Sequence, residues 1–192
     1  RVMNAVQLQV QGETLLADVG FAAAPDRPAP EIPAREHNTV IVGHRDHRID
    51  AQGSIVEAQT GSDYRWVAMD GGQACGRQVH FVRHTVMLVH PSTQQGNAIL
   101  VLDELALPAP ERVELLWHTL GRIELDAATL RGRVCGRRSQ AHLALAASQP
   151  VAAKVQSRTV DSHRTTDTEL CVSCAAGGPL LLASVFSCEP AR

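Results

Sequence analysis

Alternation with a period of two constrains this chain more than any other feature. Val6, Leu8 and Val10 alternate with Gln7, Gln9 and Gln11. In an extended segment that pattern sends one face inward and leaves the other in water. Further candidate strands follow at close spacing: residues 38–42, 54–59, 64–69, 78–83, 85–90 and 98–105, then 112–119, 122–125, 141–147, 151–156, 169–173 and 180–186. Clusters of Gly, Pro, Asp and Ser separate them, as at Asp70-Gly71-Gly72, residues 91–96, residues 108–110 and Gly177-Gly178-Pro179. Many short strands punctuated in this way predict an all-β fold, an antiparallel multi-stranded β-sandwich. Residues 110–120 make the best helix candidate, but the flanking prolines and strand-rich neighbours favour extended chain there too. Residues 1–192 read as one domain, looser after Pro150.

Composition removes several function classes. Hydrophobic residues make up 44 % of the chain, enough for a sizeable core, whereas aromatics are only 3 %. Trp66, Trp117 and Tyr64 are the only Trp and Tyr residues, few for a stand-alone sugar-binding module that must stack rings on pyranose faces. Eighteen basic and 20 acidic residues are evenly mixed, for a net charge of −2. Nucleic-acid binding needs a clustered basic face, and none is present. No apolar run approaches the ~20 residues of a membrane-spanning helix.

Five cysteines at irregular spacing are not a disulfide framework. Cys171-Val172-Ser173-Cys174 has the CxxC spacing, but residues three apart in a strand point to opposite faces. They read as incidental thiols. A Gly-x-Ser-x-Gly nucleophile motif is absent, and Gly71-Gly72 reads as a turn rather than a phosphate loop ahead of a helix. The chain opens at Arg1 and enters a strand almost at once, as expected of a fragment whose upstream part is missing.

Two ionisable residues stand at strand ends. Gly12-Glu13-Thr14-Leu15-Leu16-Ala17-Asp18-Val19-Gly20 reads as a strand closing on a carboxylate, and Glu36-His37-Asn38-Thr39-Val40-Ile41-Val42 as a strand opening on an imidazole. Brought together, Asp18 and His37 suit a divalent metal or a proton-transfer site. The structural alternatives are a turn-capping aspartate and a histidine bonded to backbone. Between them lies a long loop, residues 21–35, with prolines at 25, 28, 30 and 33; loops of this length are usually functional or disordered. His44-Arg45-Asp46-His47-Arg48-Ile49-Asp50, the densest polar cluster, reads as a solvated hairpin tip. Arg83, with His80 and His84, reads as strand surface, with an anionic polysaccharide as its functional alternative. His118 reads as a core histidine bonded to backbone.

Taken in order, these segments resemble the heparinase II/III-like polysaccharide lyases. Residues 9–20 match a strand of the form GExLxxDxG, and His37-Asn38-Thr39 with Val40-Ile41-Val42 matches HNT followed by an apolar triplet. Residues 82–89 resemble the family's arginine-bearing strand, and residues 99–105 with Leu115-Leu116-Trp117-His118-Thr119 resemble its "vvlDel … llWHt" block. The likeness runs over about residues 4–147. It implies the C-terminal β-sandwich of a two-part enzyme that cleaves uronic-acid polysaccharide by β-elimination, with catalytic residues on a missing N-terminal α/α toroid. By the same resemblance Asp18 and His37 fall on metal-ligand positions for zinc or another divalent ion. Asn4, which matches the asparagine of the family's first-strand pattern, and Arg83 are the candidate substrate-binding residues, and the third ligand, a histidine, falls immediately before Arg1. An acidic polysaccharide substrate and a periplasmic or secreted full-length protein are implied as well. Val2 and Gly43 stand where the family tends to carry acidic residues. The alternative is therefore a non-catalytic, degenerate sandwich for domain packing or carbohydrate binding.

Overall fold

The opening alternation is realised as β1 (Leu8–Val10), which turns through Gln11 and Gly12 into β2 (Glu13–Leu16). Both turn residues have positive φ, 51° and 77°, as a two-residue turn between twisted strands demands. The structure, a computed structural model, describes residues 3–18, 33–76, 78–90, 96–160 and 165–188. Arg1, Val2 and the greater part of the proline-bearing loop (residues 19–32) lie outside the described residues. A 3-10 turn at Ala34–Glu36 leads to β3 (Val40–Val42), then β4 (Ser54–Thr60), β5 (Tyr64–Asp70) and a single helical turn, α1 (Gly72–Cys75). The remaining strands are β6 (His80–Val89), β7 (Gly96–Thr119), β8 (Arg122–Asp126), β9 (Arg131–Cys135), β10 (Gln140–Ala147), β11 (Ala152–Val160) and β12 (Thr165–Cys188).

All pairings are antiparallel, and two 24-residue strands organise the whole. The first half of β7 and the second half of β12 lie in a broad layer of order β4-β5-β6-β7-β12-β10-β9-β8. Their other halves continue into a smaller layer, where β3 pairs with residues 113–115 of β7 and β11 flanks residues 165–173 of β12. Trp117, from the small layer, donates its Nε1–H to Ser184 Oγ of the broad layer at 3.1 Å. It also meets Phe186 edge-on, with centroids 5.1 Å apart. The two inner faces therefore share one core, with Phe81, Leu105, Leu115, Leu143 and Leu170 within it. This is the predicted sandwich.

The punctuation at residues 108–110 and 177–179 does not end strands; it bends them. Pro108 and Pro110 have no N–H to donate, and the ladder skips from Ala176↔Glu111 to Gly178↔Leu107. Gly178 has φ 99°, a conformation that L side chains rarely adopt, while a Cβ on Gly177 would lie 3.0 Å from Pro110 Cγ. The bulge lets a continuous ribbon pass from one layer to the other. Two smaller expectations are corrected as well. Gly72 opens a helical turn, because Asp70 Oδ1 accepts its N–H at 2.8 Å. The segments 78–83 and 85–90, read as two strands, merge into the one strand β6, which runs from His80 to Val89.

Opposite-face geometry also holds at the CxxC. Cys174 belongs to the main core, and Cys171 packs with Ala34, Ile41 and Leu116 on the outer side of the small layer. All five cysteines are free thiols. Burial pushes the Cys75 thiol up to about 12 and that of Cys171 up to about 11.

Candidate functional site

Asp18 and His37 meet. Asp18 follows the end of β2, His37 ends the 3-10 turn ahead of β3, and His37 Nδ1 is hydrogen-bonded to Asp18 Oδ1. Their side chains are 8 % and 4 % exposed. The His37 backbone N–H donates to Ala34 O at 3.1 Å and its carbonyl accepts from Thr39 N at 2.9 Å, which fixes the imidazole at the mouth of the strand.

Asn38 holds the two arms of this site together. Its Nδ2 donates to Val6 O at 2.8 Å and to Ala17 O at 3.0 Å. Its Oδ1 accepts the backbone N–H of His118 at 2.6 Å. The Ala17 N–H in turn donates to His118 O at 2.9 Å. One buried amide thus joins the chain entering β1, the residue before Asp18, and β7. All three neighbours are backbone groups, and the contacts to Ala17 O and His118 N are fully buried, where an unpaired group is costly.

Arg83 supports Asn38 from below. It is fully buried, and its Nε and Nη2 donate to Asp103 Oδ1 and Oδ2 at 2.6 and 2.9 Å. Its Nη1 donates to the carbonyls of Asn4 (2.6 Å) and Asn38 (2.7 Å). The guanidinium also lies 5.4 Å from the Trp117 ring. The expected place on a strand surface is therefore corrected: Arg83 faces inward between the layers, because its partner across the β6–β7 ladder is the equally buried Asp103. Asn4, half-buried, donates from Nδ2 to Met69 O at 2.9 Å. Both residues assigned to substrate spend these groups on contacts within the fold.

Two other readings change. His118 bonds a carboxylate rather than backbone through its side chain, with Nδ1 2.7 Å from Asp167 Oδ2 and both residues buried. Beside them Arg158 reaches Glu169 at 2.9 Å, and Gln156 donates to the other Glu169 oxygen at 2.9 Å. The 44–50 segment is only partly solvated. His47 is buried, donating from Nε2 to Val40 O at 2.8 Å and accepting from Met3 N at 3.2 Å on Nδ1. Burial holds its pKa below the ordinary histidine value. His44, exposed, reaches Glu114 at 2.9 Å. Burial pushes the Glu114 pKa up, but Arg35, His44 and Arg112 outweigh it and leave the carboxylate below its usual range.

Asn38, Asp103 and Asp167 were not assigned from sequence. The Arg83–Asp103 pair had a partial signal, an arginine and an aspartate each within a mainly apolar run, though His84 and Glu104 beside them blur it. Asn38 was flagged only as the middle residue of the His37-Asn38-Thr39 motif, with nothing to show that its amide ties three segments together.

For a metal, the described residues supply two donors in mutual contact. No group of three or more His, Cys, Asp or Glu able to hold an ion exists among them. Structural zinc takes four ligands and catalytic zinc three plus water, so the described set does not by itself fit a complete site.

No family model matches the chain, and no curated protein matches it. Solved structures do. The chain is similar to heparinase III with a TM-score of 0.77 at 11 % identity, over 97 % of this chain and 29 % of that one. It is similar to the heparan sulfate lyase HepC from Pedobacter heparinus with a TM-score of 0.78 at 10 % identity, over 98 % of this chain and 30 % of that one. A second heparinase III, the BT4657 gene product, gives 0.74 at 13 % identity over 95 % and 29 %. The chain spans about three tenths of the length of the structures it matches, and at these identities the likeness is one of fold: that of the matching part of heparinase III.

Proposed function

We propose that this chain is the β-sandwich portion of a heparinase II/III-like polysaccharide lyase, contributing one wall of a cleft for a uronic-acid-containing polysaccharide. The observation that carries the reading is the meeting of Asp18 and His37. The ordered motifs single out these two residues, and the fold seats them in contact at adjoining strand ends. β-Elimination needs a base for the proton beside the uronate carboxylate, an acid for the leaving oxygen, and a group that neutralises the carboxylate. The base and acid belong, in this reading, to the toroid that would precede the sandwich. The role of this chain is to position: Arg83 and Asp103 brace Asn38, and Asn38 locks the segments that bear Asp18 and His37. Zinc or another divalent ion, when bound, would add charge stabilisation there. Asp18 and His37 would hold it, with the remaining donors from outside the described residues.

The second reading, a non-catalytic sandwich for domain packing or carbohydrate binding, is favoured by one feature: Asp18 and His37 satisfy each other directly. Metal analysis separates the two. In a polypeptide that also carries the region preceding Arg1, the lyase reading predicts stoichiometric divalent metal that is lost in Asp18→Ala and His37→Ala. A well-folded polypeptide of that kind without metal supports the second reading.

A further inference from the structure

Strand alternation puts Val113, Leu115 and Trp117 of β7 in the core and turns Glu114, Leu116 and His118 to the outer side of the small layer. Register sets Glu114 between Ile41 of β3 and Ser173 of β12. A carboxylate placed there and only 3 % exposed needs partners. Two guanidiniums and an imidazole supply them. Arg35 Nη2 at 2.7 Å and His44 Nδ1 at 2.9 Å meet one oxygen, and Arg112 Nε at 3.4 Å meets the other. The Cys171 thiol of β12 adds a contact at 3.7 Å.

These partners differ in what they carry. His44 and Arg112 are exposed and lie at the rim. Arg35 is the middle residue of the 3-10 turn Ala34–Glu36, and His37 is the residue that ends that turn. A single 3-10 turn has poor hydrogen-bond geometry, and no side chain caps the start of this one. Its place on the sheet therefore depends on contacts from outside the turn. Ala34 packs with Ile41, Leu116 and Cys171, but a methyl group buries little surface. The Ala34 N–H donates to Oδ1 of Asp46, an exposed loop residue, at 2.5 Å. Arg158 Nη1 reaches the Arg35 carbonyl at 3.3 Å. Of these contacts, only Arg35–Glu114 has a full charge at both ends, and its acceptor is fixed in a strand paired on both sides.

We propose that Glu114 is a positioning residue for the Asp18–His37 site: through Arg35 it holds the turn that presents the His37 imidazole to Asp18. The inference deepens the reading of Asp18 and His37 as the functional pair and rests on it.

Long-range proton–nitrogen NMR spectra of the histidine rings in the 192-residue chain test it. They need neither metal nor substrate, so a lyase reading that fails on metal analysis leaves this test intact. In the parent, the His37 Nδ1–H held by the Asp18 carboxylate exchanges slowly with water. Glu114→Gln keeps the shape of the side chain and removes its charge. It is expected to speed that exchange roughly tenfold, the effect of losing one charge-assisted hydrogen bond. Arg35→Gln, at a side chain 38 % exposed, is expected to do the same without touching the sheet. The double variant adds nothing further, because both changes remove one shared contact. The ring of His118, bonded to Asp167 on the same face of β7, keeps its signals throughout. Unchanged His37 exchange in either single variant overturns the proposal, as do additive effects in the double variant. Equal loosening at His118 also overturns it, since Glu114 would then support the sheet rather than the turn. So does a parent in which the His37 proton already exchanges freely.

Discussion

Asn38 carries more of this structure than its size suggests. Its amide completes three hydrogen bonds to backbone groups of three separate segments. An apolar replacement of similar size removes all three bonds and leaves the buried Ala17 carbonyl and His118 N–H without these partners, at about 1–3 kcal/mol each. Asn38→Leu is expected to lower unfolding free energy by about 3 kcal/mol in a urea titration and to loosen the Asp18–His37 contact. A loss under about 1 kcal/mol would show that the three segments do not depend on this amide. Glu13 is a second case, at the surface. Its carboxylate accepts from the backbone N–H groups of Arg137, Arg138 and Ser139 and from Ser139 Oγ. The Ser139 hydroxyl and then the backbone donors lower its pKa from 4.5 to about 2. A carboxylate whose folded pKa is depressed contributes stability above its unfolded pKa and loses it as pH falls through the folded value. The stability difference between the parent and Glu13→Gln is therefore full above pH 4.5 and shrinks towards pH 2. Thermal melts at a series of pH values check this, and a difference that stays constant across the window contradicts it.

Alternation made β1 and β10 legible, and their burial alternates as the pattern requires; β4 and β5 lie where their strand-rich runs between turn residues put them, although β4 is exposed along its whole length. The length of β7 and β12 was not legible. Proline and glycine clusters read as chain breaks, and in sequence nothing distinguishes a break from a bulge that turns a ribbon between layers. β9 was missed because Arg131, Gly132 and Arg133 hide its period. Of the site, Asp18 and His37 were legible as ionisable residues at strand ends. Burial of Arg83 depended on its partner in the neighbouring strand, which only register reveals. The bend itself makes a prediction. Gly178→Val forces a β-branched residue to φ 99°, a strain on the order of 1–3 kcal/mol. It is expected to lower the melting temperature by several degrees, roughly 2–4 °C per kcal/mol for a chain of this size. An unchanged melting temperature would mean that the ribbon can bend without this residue.

As a whole molecule, the chain is a two-layer sandwich braced by a buried arginine, similar in fold to about three tenths of heparinase III. No helix among the described residues is long and apolar enough to cross a membrane. The division of labour proposed above assigns this chain support and positioning, and leaves proton abstraction to residues outside it. Turnover tests that most directly. Heparan sulfate, alginate and hyaluronan are incubated with the 192-residue chain and, separately, with a polypeptide that also carries its preceding region, and unsaturated-uronate absorbance is followed. The account predicts no absorbance change from the chain alone and a steady rise on one of the three substrates from the longer polypeptide. Robust turnover by the chain alone, or none by the longer polypeptide on any of them, would contradict it.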